Sequence, residues 1–305
     1  MQLTIPLRGG GGEPVDLWRT LNSHGMTELP PMSLDDAAGA LEVTLPAGPT
    51  RARTVRISAG PTRTARVEIA GRPPGARATE EILALVSHIL RLDEDLSGFY
   101  AMALEDPELA WAAEGAGRMV RSATVFEDVV KTICTTNCTW SATERMVGAI
   151  VEHLGVAAPG APEHEPRGRA FPSPEALAAA PESFLKDVAR AGYRSSYLRS
   201  VAASVADGSL DLERLVAGNE ELSDDEVESE LLALPGVGPY AAAHIMMTLG
   251  RHSRLILDSW TRPKYARLTG KRRVSDAAIE RRFRSYGRFA GLAFWLFLTR
   301  DWVEA

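Results

Sequence analysis

The sequence predicts an α+β fold, mainly α, in which a small antiparallel β-sheet unit packs on a larger all-helical core. Three observations carry this expectation. Within the first 75 residues, four segments alternate apolar and polar side chains, the signature of half-buried strands. After Pro73-Pro74-Gly75 the apolar spacing changes to the three-and-four rhythm of amphipathic helices. The third is Leu234-Pro-Gly-Val-Gly238, a tight hairpin between two helices.

The strands are expected at Gln2–Leu7, Ala40–Leu45, Ala52–Ser58 and Thr64–Ala70, the last two joined by Gly60-Pro61-Thr62-Arg63. One helix, Val15–His24, interrupts them. From Glu80 to Leu92 the apolar positions fit a helix, with Thr79 as its cap. Thr124–Thr136 and Trp140–Leu154 are amphipathic and flank the polar turn Thr135–Thr139. A Pro/Gly-rich loop over residues 156–171 reads as a subdomain connection. Short helices follow at Ser173–Ala180, Pro181–Arg190, Arg194–Asp207 and Asp224–Ala233, then the hairpin. The last helices are expected at Ser275–Tyr286 and Phe289–Trp302. Residues 1–78 and 79–305 form the two expected units.

In the hairpin, Gly236 and Gly238 can adopt positive φ and leave the backbone open to close approach. The helix beginning near Pro239 offers unpaired N–H groups and a positive dipole end, which suit a phosphate. Two cysteines, Cys134 and Cys138, are too few for a disulfide framework or a four-cysteine iron–sulfur or zinc site, and both read as buried. The histidines show no metal-ligand spacing, so no metal site is expected. No apolar run approaches membrane-spanning length, and Met1–Pro6 does not read as a signal peptide, so a cytoplasmic protein is expected, nucleoid-associated in a prokaryote.

A net charge of −6 conceals a polarised chain. From Arg251 to Arg288 twelve Lys/Arg face three acids, a local net of +9, whereas Glu220–Glu230 holds seven acids and no base. This is a basic face fit for a polyanion, or else a solvated helical surface. Asp258, twenty residues after Gly238 in an apolar setting, adds a carboxylate that a simple phosphate-gripping hairpin does not need.

With Asp258 the sequence resembles the helix-hairpin-helix DNA glycosylase superfamily. Leu234-Pro-Gly-Val-Gly-Pro-Tyr240 and Leu257-Asp258 match its motif in type and spacing. Phe171-Pro-Ser-Pro-Glu-Ala-Leu177, Ala191-Gly-Tyr-Arg-Ser-Ser-Tyr-Leu198, Ile133-Cys-Thr-Thr-Asn137 and Tyr286-Gly-Arg-Phe-Ala-Gly291 are similar to the branch holding 8-oxoguanine and 3-methyladenine glycosylases. The resemblance covers roughly residues 120–300, and an N-terminal antiparallel sheet is usual in that branch.

The resemblance implies an enzyme of base excision repair whose partner is double-stranded DNA carrying a damaged base, acting as a monomer. Such enzymes flip the nucleotide out and cut its N-glycosidic bond. Asp258 would stabilise the oxocarbenium-like sugar and activate water; it also reads as an N-cap for Ser259–Leu268, and the two roles are compatible. Tyr240 stands where lyase members carry a lysine, so no Schiff base is expected. Its ring suits a cationic alkylated purine, and a core role is the alternative. Trp260 either lines the pocket or packs in the core; Trp140 and Trp295 are assigned to the core. Leu234, Gly236, Val237 and Gly238 would grip the backbone. Asn137 would fill the gap left by the base, with Tyr193 and Arg194 at the orphaned partner; a turn Asn and a packed Tyr are the plain readings. Ala142 occupies the position of a cytosine-reading arginine, against strict selection of that opposite base. No cofactor is implied, although hairpin carbonyls in this family can hold a monovalent cation near Gly236. The expected activity is monofunctional release of alkylated purines. An oxidised-purine glycosylase of the same fold and a non-catalytic damage-binding protein are the competing expectations.

Overall fold

The computed structural model describes residues 1–218 and 222–303. Glu220 and Glu221 of the acidic run lie outside them. Five strands, β1 (Gln2–Pro6), β2 (Met32–Asp35), β3 (Ala40–Pro46), β4 (Ala52–Ala59) and β5 (Thr64–Ile69), form one antiparallel sheet in the order β1-β5-β4-β3-β2. Burial alternates along β5, with Ala65, Val67 and Ile69 inside. Four strands occupy the expected segments. β2 is the addition: four residues after two prolines are too short to show alternation. Its register, Met32 opposite Val43 and Leu34 opposite Leu41, makes it part of the sheet.

Twelve α-helices complete the described chain. The first five are α1 (Leu17–Leu21), α2 (Ala76–Ile89), α3 (Ser97–Leu104), α4 (Val125–Thr135) and α5 (Trp140–Leu154). Next are α6 (Pro174–Ala179), α7 (Arg194–Ala206), α8 (Asp224–Ala233) and α9 (Pro239–Thr248). The last are α10 (Thr261–Leu268), α11 (Asp276–Phe283) and α12 (Ala290–Thr299).

Several expected boundaries move. The Val15–His24 helix is only α1, capped by Asp16, with a separate 3-10 turn over Gly25–Glu28. α2 begins at Ala76, so Thr79 is not its cap; the Thr79 hydroxyl donates back to Gly75 O instead. Residues 181–190 hold one π-turn, Phe184–Val188. A boundary at 78 falls inside α2, whose Ile82, Val86 and Ile89 pack with Val43, Val55 and Val67 of the sheet. An apolar sheet face needs a cover, and α2 provides it.

Two further cores hold the helical region. One gathers α4 to α8, with Val129, Ile133, Ile150, Leu198 and Leu231. The other gathers α3 and α10 to α12, with Phe99, Tyr265, Phe283 and Phe294. α9 lies between them. Its Ala241, Ala242, Ile245, Met246 and Leu249 side belongs to the first core, and its Ala243 and Met247 side to the second.

The hairpin before α9 uses this freedom at one of its two glycines. Gly236 has φ +86°, but Gly238 has φ −102° and needs no left-handed conformation. An added Cβ at Gly236 would sit 2.8 Å from the Tyr197 ring, while one at Gly238 meets nothing within 4 Å. Gly236→Ala is therefore expected to cost about 1–3 kcal/mol, from backbone strain and the clash, and Gly238→Ala no more than about 0.5 kcal/mol. Urea denaturation midpoints of the two variants check this.

Candidate active site

At the seam between the two helical cores opens a cleft of about 120 Å³, lined by His24, Gly25, Met26, Thr135, Trp140, Tyr240, His244, Ile256, Asp258 and Trp295. Three parts of the sequence meet there. Residues 24–26 come from the turn after α1, Thr135 and Trp140 from the α4–α5 connection, and the rest from α9 to α12. The sheet unit thus reaches into the helical region, with Met26 and Leu29 buried in the first helical core.

Tyr240 and Asp258 share this cleft. Tyr240 is half-buried and packs against both helical cores. Its hydroxyl lies 3.5 Å from Thr135 Oγ1. Burial raises the phenol pKa, with the nearby Asp258 carboxylate adding to the effect, so it stays neutral.

Asp258 is held by its own loop. Its Oδ1 accepts from the backbone N–H of Trp260 at 2.8 Å and of Thr261 at 2.6 Å. Its own N–H donates to Thr261 Oγ1 at 2.8 Å, a reciprocal capping arrangement. α10 begins at Thr261, two residues later than expected, which puts Pro263 in the first turn where its missing N–H is harmless. The second carboxylate oxygen accepts no hydrogen bond among the described residues. The loop itself is seated by Gly291: a Cβ there would lie 2.0 Å from Arg254 O, and its N–H donates to His252 O at 2.7 Å.

Tryptophan assignments change. Trp140, expected in the core, is 38% exposed, donates from Nε1 to Glu28 and lines the cleft. Trp295 is buried and also lines it, donating from Nε1 to Ser23 O. Trp260 is 39% exposed and stands outside the cleft's lining, against Trp295 and Trp302 with ring centroids 5.8 and 5.7 Å away. Starting α10 late turns Trp260 outward. Cys134 is buried as expected, with its thiol pushed up to about 12 by burial, but Cys138 is exposed at the turn.

The remaining site residues sit around the hairpin. Asn137, with φ +48°, and Tyr193 are both exposed and meet through Asn137 Nδ2 and the Tyr193 hydroxyl at 3.4 Å. Arg194 is buried beneath them, its guanidinium stacked on Tyr193 at 4.5 Å and donating to Thr136 O and Thr136 Oγ1. It braces the Asn137 turn. In the hairpin, Val237 is buried and Leu234 packs on the first helical core, so their side chains anchor the motif. No side chain caps α9, which leaves its first N–H groups open to an acceptor.

The polarised charge is partly cancelled within the fold. Arg251 pairs with Asp224, and Arg254 with Asp225 and Glu228, so the acidic α8 neutralises the start of the basic segment. Arg262, Lys264 and Arg282 pair with Asp276, Asp301 and Asp106. Arg267, Lys271, Arg272, Arg273, Arg281, Arg284 and Arg288 are exposed and have no ion pair among the described residues.

Two residues went unnoticed in the sequence. His24 accepts from Met26 N–H at Nδ1 and donates from Nε2 to Val120 O, which fixes its tautomer. His244, one helical turn after Tyr240, presents the same face of α9. The spacing alone marks it as a neighbour of Tyr240. Burial lowers His24 to about 3, helped by His244, and His244 to about 4. Among the described residues, no three His, Cys, Asp or Glu side chains are grouped to hold a metal ion, and no helix is long and apolar enough to cross a membrane.

The chain is 27% identical over 229 residues to a "Probable N-glycosylase/DNA lyase" of Methanothermobacter thermautotrophicus, covering 67% of this chain and 70% of the relative. Its structure is similar to the 3-methyladenine DNA glycosylase from Archaeoglobus fulgidus, with TM-score 0.73 and 22% identity over 99% of this chain and 100% of that one. The relatives and structural neighbours are DNA glycosylases, and the chain shares their fold. A second similar structure is the Clostridium acetobutylicum 8-oxoguanine glycosylase/lyase in complex with double-stranded DNA containing cytosine opposite 8-oxoG, with TM-score 0.71 and 21% identity over 94% of this chain and 92% of that one. No family model matches the chain.

The buried histidines give the protein an acid-sensitive core. Their folded pKa values lie below the ordinary 6.5, so on acidification the unfolded chain takes up protons that the folded chain refuses. Stability falls as pH drops below about 6.5, by about 1.4 kcal/mol per pH unit for each histidine, until about 4 for His244 and about 3 for His24. Asp128, raised to about 6 by burial, titrates the other way and offsets part of the loss. Denaturant midpoints between pH 7 and pH 4.5 are expected to decline, with a shallower decline in His244→Phe.

Proposed function

We propose that this protein is a monofunctional DNA glycosylase that hydrolyses the N-glycosidic bond of alkylated purines in duplex DNA. The observation that carries the reading is the shared cleft: Tyr240 and Asp258 line it together, and no lysine does. The chain has four lysines. Lys131, Lys186 and Lys264 are ion-paired to Glu127, Glu182 and Asp301, and Lys271 is exposed away from the cleft lining. The N-terminal amine donates to Ile69 O. With no amine to attack C1′, water is the nucleophile and the strand stays intact.

Asp258 stabilises the electron-deficient sugar as the base departs. One oxygen is pinned by two N–H groups, which orients the other without rotational loss. The cleft also favours a particular leaving group. A neutral purine leaves poorly unless an acid protonates it. His24 and His244 are held neutral by burial, so neither is an acid near pH 7. A cationic alkylated purine departs as a neutral base and needs no such acid. The ring faces of Tyr240 and Trp140 attract the cation.

The hairpin amides grip the backbone phosphates, and exposed Arg284, beside Pro239 and Tyr240 in the adjoining groove, adds charge. Asn137 and Tyr193 occupy the gap and press on the orphaned base.

Asp258→Asn is expected to lower 3-methyladenine release by about a thousandfold or more while duplex affinity changes little. Base-release assays with binding controls check it; normal release by the variant would sink the assignment. Wild-type reactions treated with borohydride should yield no covalent DNA adduct. Release from a panel of 3-methyladenine, hypoxanthine and 8-oxoguanine substrates separates this reading from an oxidised-purine enzyme. Arg284→Ala should weaken binding and reduce the slope of log affinity against log salt by about 0.9.

A further inference from the structure

The polar groups of the cleft are nearly all committed to the protein. Trp295 Nε1 donates to Ser23 O at 2.7 Å, and Trp140 Nε1 to Glu28 Oε2 at 3.1 Å. Thr135 Oγ1 donates to Thr132 O at 2.7 Å. His24 uses both ring nitrogens, on Val120 O and Met26 N–H. Asp258 holds one oxygen on backbone N–H groups, and the proposed reaction assigns the other to the sugar.

His244 is the exception. It is only 8% exposed, and its Nε2 has no hydrogen-bond partner among the described residues. A buried ring nitrogen without a partner is a standing cost to the fold, and such groups in native proteins call for an explanation. The ring is also held. His24 meets it nearly edge-on, with centroids 5.9 Å apart at 67°, and Tyr240 lies 6.1 Å away on the preceding turn.

We propose that His244 is the residue that reads the extruded base, hydrogen-bonding the polar edge of a purine through its otherwise unpartnered imidazole. The role rests on the glycosylase reading above. A neutral imidazole offers one donor and one acceptor, and the tautomer can follow the base. The partner is therefore a purine carrying an exocyclic amino or carbonyl group. Burial keeps the ring uncharged, which spares a cationic base a like-charge neighbour. His24, fixed in one tautomer by its two bonds, is the wall that holds the His244 ring and is a positioning residue only.

The test is free-base binding, followed by tryptophan fluorescence because Trp140 and Trp295 line the cleft. The probes are 3-methyladenine and 3-methylpurine, which differ only in the exocyclic amino group. Wild-type protein should bind 3-methyladenine about ten- to a hundredfold more tightly. His244→Phe should lose that preference and release 3-methyladenine from duplex DNA about ten- to a hundredfold more slowly in single turnover, with affinity for undamaged duplex unchanged. His244→Gln, which keeps a donor and an acceptor, should recover part of both. Equal affinity of the wild type for the two bases overturns the proposal without any variant, and so does a His244→Phe protein that keeps the preference. Should the wild type excise no lesion yet prefer 3-methyladenine, the glycosylase reading fails while the role of His244 as a base reader stands. Excision without the preference has the opposite meaning.

Discussion

α9 is buried along eight consecutive residues, Ala241–Thr248, and is gripped by two separate apolar cores. Everything at the cleft depends on that constraint. A helix packed on one side can rotate or slide; one wedged between two cores cannot do so without opening both. Tyr240, which touches both cores, and His244 one turn later also line the cleft. The same wedge fixes the helix start, so the open N–H groups at Gly238 and beyond are held at the molecule's edge. The open helix start and the cleft are thus two consequences of one packing arrangement, separated by a single helical turn.

Electrostatics in the helical region do two jobs with one set of charges. The acidic residues of α8 draw Arg251 and Arg254 onto themselves and fasten the loop that leads from α9 to Asp258. Arg251 is nearly buried and also donates to Leu215 O and Leu222 O, so this is a structural bond set rather than a surface pairing. The charge left over lies further along, on exposed arginines of α11 and the turns around it. A net positive surface survives close to the hairpin because the acids are consumed elsewhere. A chain of net charge −6 can then present a local field that attracts a polyanion.

The sheet, the long helices and the hairpin were legible because each has a strong period or a turn residue that few conformations accept. β2 was not, since four residues show no period. The site divided in the same way. Asp258 and Tyr240 stood next to a recognisable turn, and their positions follow from chain spacing. His24, Trp140 and Trp295 come from segments distant in sequence, and nothing local distinguishes a pocket tryptophan from a core one. Trp260 misled because it follows Asp258 directly. The two N–H bonds to Asp258 Oδ1 turn the chain there, and the next side chains point outward. His244 was within reach of helical spacing from Tyr240. It needed only the step from one pocket residue to its neighbour a turn later.

The two readings of Asp258, helix cap and proposed reacting carboxylate, are compatible in one geometry. A carboxylate has two oxygens, and capping the first turn of α10 engages only Oδ1. The N–H groups that bind it do not merely satisfy the helix start; they remove the side chain's freedom to turn away. They also place it at the N-terminal end of α10, beside that helix's first N–H groups. Opposite it, the cleft wall is built from aromatic rings and neutral imidazoles, groups that accept a flat cation without opposing charge. In the proposed reaction the carboxylate would stand at the sugar and the polarisable, uncharged groups at the base. Under the proposed function this separation would stabilise the bond-breaking state more than the intact nucleotide, because the positive charge would move from the base, against the ring faces, to the sugar, against the carboxylate.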